Sequence, residues 1–172
     1  MPKQFSRSTF RIILLTSLSL VLAFIALDPI NRISTKAPDV TFTTITGKKI
    51  ALKDLRGKPV IVTFWATDCP GCIKEIPDLI DLYARYHKQG LEIIGVAMYY
   101  DPPNHVVSMT EDRQLHYHVA LDLKAEHAFA FGDVQLIPRT FLISPDGLID
   151  LKITGAFDPA EIKTHIETLI KG

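Results

Sequence analysis

Residues 60–72 read VIVTFWATDCPGC, and this stretch decides the fold of the chain. Its first six residues, Val60–Trp65, are β-branched or aromatic and do not alternate with polar residues, which predicts a strand buried on both faces. Apolar residues then recur at three- and four-residue spacing from Pro70 to His87, which predicts a helix. The two cysteines of the chain, Cys69 and Cys72, therefore fall where a buried strand passes into a helix.

The position of this cysteine pair at the start of a helix indicates redox chemistry. Cys69 lies beside the unpaired N–H groups and the positive end of the helix dipole, which stabilise a thiolate. Cys72 lies one turn further along, where its sulfur is able to close a disulfide with Cys69. Two alternatives are half of a zinc site completed by His116 and His118, and a structural disulfide, although so short a loop yields little entropic stabilisation. We favour thiol–disulfide exchange.

The rest of the pattern predicts strands that alternate with helices. We predict a hairpin over 40–52, a loop over 54–59, a strand over 91–98, a loop over 99–104, a weak helix over 105–115, a strand over 119–121, a helix over 124–131, two strands within 140–154 and a last helix from Asp158 to about 169. This order predicts an α/β domain in which helices flank both faces of a mixed sheet.

Composition excludes several classes of protein. The chain has 172 residues, of which 47% are hydrophobic and 22% charged, so extensive disorder is excluded. The 19 basic and 19 acidic residues give no net charge, and we expect no binding to nucleic acid. Two cysteines are too few for a disulfide scaffold or a four-cysteine zinc site.

The N-terminus has the pattern of a membrane-targeting segment. Residues 12–27 are uncharged and mostly apolar, and Lys3, Arg7 and Arg11 precede them. As a helix the run spans roughly 24 Å, against a hydrocarbon core of about 30 Å. We favour an uncleaved anchor over a cleaved signal, with the N-terminus in the cytoplasm and the body outside it. The predicted division is a tip, anchor and linker over 1–37, followed by one domain over 38–172.

The segment FWATDCPGC, residues 64–72, resembles the active site of the thioredoxin fold. More narrowly, it resembles the membrane-anchored TlpA/ResA-like thiol–disulfide oxidoreductases, and the resemblance spans about residues 38–172. Supporting matches are Pro38-Asp39, Leu55–Val60, Glu75-Ile76-Pro77, Ile137-Pro138, Thr140–Ile143, Asp146-Gly147 and Gly155. The resemblance implies a thioredoxin fold with an N-terminal hairpin and an inserted strand and helix.

The resemblance also implies a role for each residue of the site, and it implies no cofactor. Cys69 is expected to be the exposed nucleophile that attacks a substrate disulfide, and Cys72 to resolve the mixed disulfide. Pro138 is expected to be cis, with the backbone at Ile137 pairing with the substrate chain. Trp65 is expected to pack under the active-site loop.

Glu75 is the candidate proton acceptor. In thioredoxins a buried aspartate on the central strand assists the second cysteine, but the matching position here is Thr63, which does not titrate. Glu75 lies three residues after Cys72, so both side chains share one face of the helix. A carboxyl group partly buried there has a raised pKa and is suited to accept the Cys72 proton. The alternative is a solvated surface glutamate.

Asp68 and Arg139 depart from the family pattern, and Tyr99 and Tyr100 stand close to the predicted site. Asp68 stands before the first cysteine, where an aromatic residue is usual, and its charge opposes a thiolate. Arg139 follows the proline where members that act in cytochrome maturation often carry an acidic residue, which weakens that assignment. Arg139 either contacts an acidic group of a substrate or, as we favour, is solvated. Tyr99 and Tyr100 end a strand beside the active-site strand, where they either line a groove or belong to ordinary packing.

The resemblance implies exported proteins with disulfides as substrates and a membrane electron donor of the DsbD/CcdA type. One alternative function is a peroxiredoxin-like thiol peroxidase, but its P-x-x-x-T-x-x-C pattern would require Pro and Thr where Val62 and Ala66 stand. The other is a non-catalytic, membrane-tethered binding module, which the intact cysteine pair disfavours.

Overall fold

A five-stranded sheet dominates the computed structural model, which describes residues 35–171. The strands of this part of the chain are β1 (Thr41–Thr43), β2 (Lys49–Ala51), β3 (Val60–Trp65), β4 (Glu92–Ala97), β5 (His118–Leu121), β6 (Arg139–Ile143) and β7 (Ile149–Thr154). β1 and β2 form a separate antiparallel hairpin, and the large sheet has the order β5-β4-β3-β6-β7. The predicted mixed sheet and N-terminal hairpin are both confirmed.

The helices lie between the strands where the sequence predicts them, with shifted ends. They are α1 (Pro70–Tyr86), α2 (Pro103–Asp112), α3 (Glu126–Ala130) and α4 (Pro159–Lys171). The backbone N–H of Ala160 donates to the Asp158 carboxylate at 2.9 Å, which confirms Asp158 as the N-terminal cap of α4.

Two predicted loops were wrong in part. Residues predicted as loop up to 104 include the first turn of α2, because Pro103 occupies the first helical position, where its fixed φ and missing N–H are tolerated. The predicted loop at 54–59 begins inside a 3₁₀ turn, Leu52–Leu55.

The predicted helix over 124–131 is shorter, because Ala125 adopts a left-handed backbone conformation with φ of 57° immediately before α3.

The central position of β3 explains its continuous apolar sequence. β3 runs parallel to β4 on one side and antiparallel to β6 on the other. Every residue of β3 is buried, as predicted. One face of the sheet packs under α1 and α4, and the other packs against the hairpin and α3, so each face has its own apolar core. Because β3 is held on both faces, its last residue, Trp65, has a fixed position. The loop that carries the cysteine pair starts from there.

The residues before the hairpin are attached at one end of the sheet. Lys36 forms a bridge with Leu148, and the backbone N–H of Ile149 donates to Thr35 at 2.8 Å. Ile149 begins β7 and lies in register with Ile143, which is paired with Val60. The chain therefore enters the domain at the end of the sheet opposite to the cysteine pair.

The predicted membrane anchor over 12–27 lies outside the described residues. Within 35–171, none of the helices combines the length and the apolar composition that crossing a bilayer requires.

Candidate active site

The two cysteines form a disulfide at the start of α1. Their Cα atoms are 5.3 Å apart. Cys69 is the N-terminal cap of the helix, and its Sγ accepts a hydrogen bond from the backbone N–H of Cys72 at 3.1 Å. Cys69 is partly exposed, whereas Cys72 is only 3% exposed. Cys69 is therefore the more accessible of the two cysteines, and the N–H of Cys72 in the first turn of the helix is directed toward its sulfur.

Pro138 lies directly against the active-site turn. The Ile137–Pro138 peptide bond is cis. A methyl group added at Gly71 would lie 3.3 Å from Cδ of Pro138, so the proline ring and the Pro70-Gly71 turn are in close contact. The structure thus brings together the predicted cysteine pair and the predicted proline, which are more than sixty residues apart in the sequence.

Asp101 holds the loop before the first cysteine, a role that sequence analysis missed. This buried carboxylate accepts hydrogen bonds from the backbone N–H of Thr67 at 2.7 Å and from the Thr67 hydroxyl at 2.6 Å. Asp101 follows β4, the strand parallel to β3, so its side chain reaches the loop that leaves the neighbouring strand. The available signal was an aspartate just beyond the end of a strand adjacent to the active-site strand.

Glu75 is buried beneath the pair and retains one hydrogen bond. Its side chain is only 4% exposed, and Oε1 accepts from the backbone N–H of Phe157 at 2.8 Å. Burial raises the pKa of Glu75 to about 7; the Phe157 N–H lowers it, and the charge of Asp78 raises it slightly. The alternative of a solvated surface glutamate is wrong, and a carboxyl group with this pKa is suited to exchange protons near neutral pH.

Two buried aromatic residues, Trp65 and Tyr117, and two hydrogen-bonded threonines, Thr63 and Thr140, lie in the core near the site. Trp65 is buried, and its indole packs against Gly95, where an added methyl group would lie 3.2 Å from Nε1. Thr63, at the position where thioredoxins have an acid, shares a buried hydrogen bond of 2.9 Å with Thr140. Burial raises the pKa of Tyr117, and the nearby Glu75 raises it further. Glu75, three residues after Cys72, is the buried carboxyl group of α1.

The positions that depart from the family pattern lie around the rim of the site. Asp68 is exposed. The pKa of Tyr100 is raised mainly by the partial burial of Tyr100 itself and, second, by the negative charge of Asp68. Tyr99 and Tyr100 are exposed and line a groove, which decides between the two alternatives for them. Arg139 is half-buried, and its guanidinium carbon lies 5.3 Å from the ring centroid of Phe141, a cation–π contact that leaves part of the side chain in solvent.

The zinc alternative gains no support. Among residues 35–171, no group of three or more histidine, cysteine, aspartate or glutamate side chains is arranged to hold a metal ion. His118 instead has its Nε2 atom 3.8 Å from Oε2 of Glu92, at the opposite end of β4 from the cysteine pair.

Comparison with known proteins agrees with this geometry. The model of the AhpC/TSA family matches residues 33–152. A protein of Geobacillus thermodenitrificans named thiol-disulfide oxidoreductase ResA is 34% identical over 137 residues, which cover 80% of this chain and 78% of the relative. The ResA of Bacillus cereus is 32% identical over 171 residues, or 95% of this chain and 97% of the relative.

The fold is also found among solved structures. A thiol:disulfide interchange protein of the thioredoxin family from Chlorobium tepidum superposes with a TM-score of 0.73 at 27% identity, covering 80% of this chain and 97% of that one. The cysteine pair at disulfide distance, the cis proline beside it and these relatives agree on one class of protein. The chain therefore belongs to the AhpC/TSA family of thioredoxin-fold proteins, and within it to the ResA-like thiol–disulfide oxidoreductases.

Proposed function

We propose that this protein reduces disulfides in exported proteins through the Cys69–Cys72 couple. The observation that carries the proposal is the unequal burial of the pair: the Cys69 sulfur is accessible, whereas Cys72 and Glu75 are enclosed behind it. An accessible attacking sulfur with an enclosed resolving sulfur suits a disulfide exchange in which the substrate is attacked and then released.

The reaction proceeds in two exchange steps. The Cys69 thiolate attacks one sulfur of the substrate disulfide; a Cys69–substrate bond forms, and the other substrate sulfur leaves as a thiolate. Cys72 then gives its proton to the Glu75 carboxylate and attacks the Cys69 sulfur, which releases the second substrate thiolate. The substrate gains two electrons, and the protein is left with the Cys69–Cys72 disulfide. Glu75 acts as a general base in the second step.

The cis-proline segment is proposed to hold the substrate chain. Within residues 35–171, the backbone N–H and C=O of Ile137 form no hydrogen bond with another main-chain group. Unpaired backbone groups beside the disulfide are suited to pair with an extended polypeptide. Pro138 packs on the active-site turn, and Trp65 belongs to the same apolar cluster as Cys72, against which Cys69 packs. We assign substrate binding to Ile137 and Pro138 and support of the site to Trp65.

Each turnover leaves the protein oxidised, so a donor of two electrons is required. We propose a membrane protein of the DsbD/CcdA type, which carries reducing equivalents across the bilayer as thiols. Cytochrome c maturation is one process that uses such reduction, although Arg139 stands where an acidic residue is common in that group.

The reduction potential tests the direction of electron flow. Equilibration with mixtures of reduced and oxidised dithiothreitol, followed by alkylation and mass analysis, should give a potential near that of thioredoxin, about −270 mV. A value near that of a strong oxidant such as DsbA, about −120 mV, would contradict the proposed reductive role.

We further propose that residues 12–27 anchor the protein and that the domain over 38–172 works outside the cytoplasm of a bacterial cell. The apolar run and the preceding Lys3, Arg7 and Arg11 support this orientation. Alkaline phosphatase fused after residue 40 should be active, because this enzyme folds only after export. An inactive fusion that is stably produced would refute the orientation, and a fusion after Arg11 is the control.

A further inference from the structure

The large apolar side chains that remain exposed all lie between residues 99 and 136. In the part of the chain that the structure describes, they are Tyr99, Tyr100, Leu123, Phe129 and Leu136. Phe129 is 75% exposed and Leu136 is 69% exposed. Apolar residues scattered singly on a surface need no explanation, but a cluster indicates an interaction site.

Three of these residues border one groove, which we call the aromatic groove. Its exposed wall is formed by Tyr99, Tyr100 and Phe129, and its floor by the buried residues Met98, Ala128 and Val134. The groove has a volume of about 460 Å³. The two tyrosine rings meet edge to face with centroids 5.3 Å apart, so they present one rigid apolar edge.

The aromatic groove adjoins a second depression that approaches the cis-proline segment. The segment 133–135 forms part of its lining and also lines an adjacent depression of about 190 Å³. That depression extends to Leu136 and Arg139, on the two sides of the Ile137–Pro138 bond. At the other edge, Tyr100 interacts electrostatically with Asp68, which precedes the reactive cysteine. One edge of the groove is thus directed toward the cis-proline segment and the other toward the residue before Cys69, which places the groove within reach of a chain bound at Cys69.

The charges around the groove are predominantly acidic. Glu126 and Asp133 line it, and Asp68 is exposed at the edge next to the cysteine pair. Two basic residues oppose these three acids: Lys124 in the lining, whose Nζ lies 3.9 Å from Oε1 of Glu126, and Arg139 in the adjacent depression. A basic segment complements this surface better than an acidic one.

We propose that the aromatic groove selects substrates in which an aromatic side chain flanks the reactive cysteine within an extended, positively charged segment. This inference rests on the proposed reduction of protein disulfides. It specifies which kind of substrate segment is reduced fastest. The aromatic side chain inserts between the tyrosine pair and Phe129 while the flanking cysteine lies at Cys69.

The test uses symmetric disulfide-linked peptide dimers, so that attack on either sulfur is equivalent. Two lysine-containing peptides differ only at the second residue on each side of the cysteine, which is phenylalanine in one and alanine in the other. The full-length protein is first reduced in detergent, and the second-order rate of peptide thiol release is measured at pH 7. We expect the phenylalanine peptide to react about tenfold faster, as partial burial of aromatic surface predicts.

The variants Tyr99→Ser and Phe129→Ser should reduce this preference to within about twofold. Leu123→Ser is the matched control, because Leu123 is equally exposed but does not line the groove, and it should keep the wild-type preference. A third peptide, with glutamate in place of lysine, should react more slowly than its basic counterpart.

Two results would overturn the inference. One is equal rates for the phenylalanine and alanine peptides, or a preference that survives in both serine variants. The other is a dimer of the wild-type protein that Phe129→Ser dissociates without changing peptide preference, which would assign the groove to a second copy of the chain. Failure to reduce either peptide would instead contradict the proposed function itself, so the two failures are distinguishable.

Discussion

Replacing Cys72 with alanine is expected to convert the protein into a covalent trap for its substrates. Cys69 remains accessible at the start of α1 and still attacks a substrate disulfide. The buried thiol that resolves the intermediate is then missing, so the Cys69–substrate bond persists. Turnover should fall by on the order of 10³ or more, as is typical when one member of a catalytic pair is removed.

The trapped complexes are measured on non-reducing gels and identified by mass spectrometry of the reduced bands. Cys69→Ala is the matched control, because it leaves a single thiol that is 3% exposed and hence shielded from large substrates. Equal capture by both variants would contradict the assignment of Cys69 as the attacking sulfur. Exported proteins among the captured partners would support the proposed compartment.

The second large effect is expected for Glu75→Gln, which should slow substrate reduction tenfold or more at pH 7. Glutamine is close in size to glutamate and retains an oxygen that accepts from Phe157, but it does not accept the Cys72 proton. In the wild type, the rate should rise with pH through an ionisation near 7, because the carboxylate is the active form. The variant should lose this step in the pH–rate profile.

Asp81→Asn is the control, because it makes the same acid-to-amide change on an exposed part of the same helix. It should keep both the rate and the pH profile of the wild type. An unchanged rate for Glu75→Gln would reject Glu75 as the proton acceptor, whereas a reduced rate with an unchanged pH profile would indicate a merely structural role.

The stability of the oxidised protein supplies an independent readout for the same variant. The pKa of Glu75 rises from its ordinary value of 4.5 in the unfolded chain to about 7 in the fold, so the folded state binds more protons between these values. The free energy of unfolding therefore falls as pH rises from below 4.5 to above 7, by about 3 kcal/mol from this group. Urea denaturation at a series of pH values should show that the free energy of unfolding of Glu75→Gln does not fall in this way between pH 4.5 and 7.

The features that could be predicted from the sequence depend on local patterns, whereas those that could not depend on tertiary contacts. The strand over 60–65, the helix that follows and the cysteine pair depend on local patterns, and all three were predicted. Glu75 was predicted because its spacing from Cys72 fixes their common helix face. These features need only the periodicity of a helix or a strand.

The residues that were missed act through tertiary contacts. Asp101 reaches Thr67 only because β3 and β4 pair in parallel with a particular register. The N–H of Phe157 reaches Glu75 across 82 residues of sequence, and no local pattern encodes that approach. The aromatic groove likewise joins the loop after β4 to α3 and the approach to the cis proline, which are distant in the chain.

The attachment of Thr35 and Lys36 beside Leu148 and Ile149 fixes the point at which the backbone joins the sheet. The six residues of β3 separate that attachment from the disulfide by about 20 Å of strand and turn. A label attached at Thr35 would therefore lie at the end of the sheet away from Cys69, where it leaves the face that meets a substrate disulfide unobstructed.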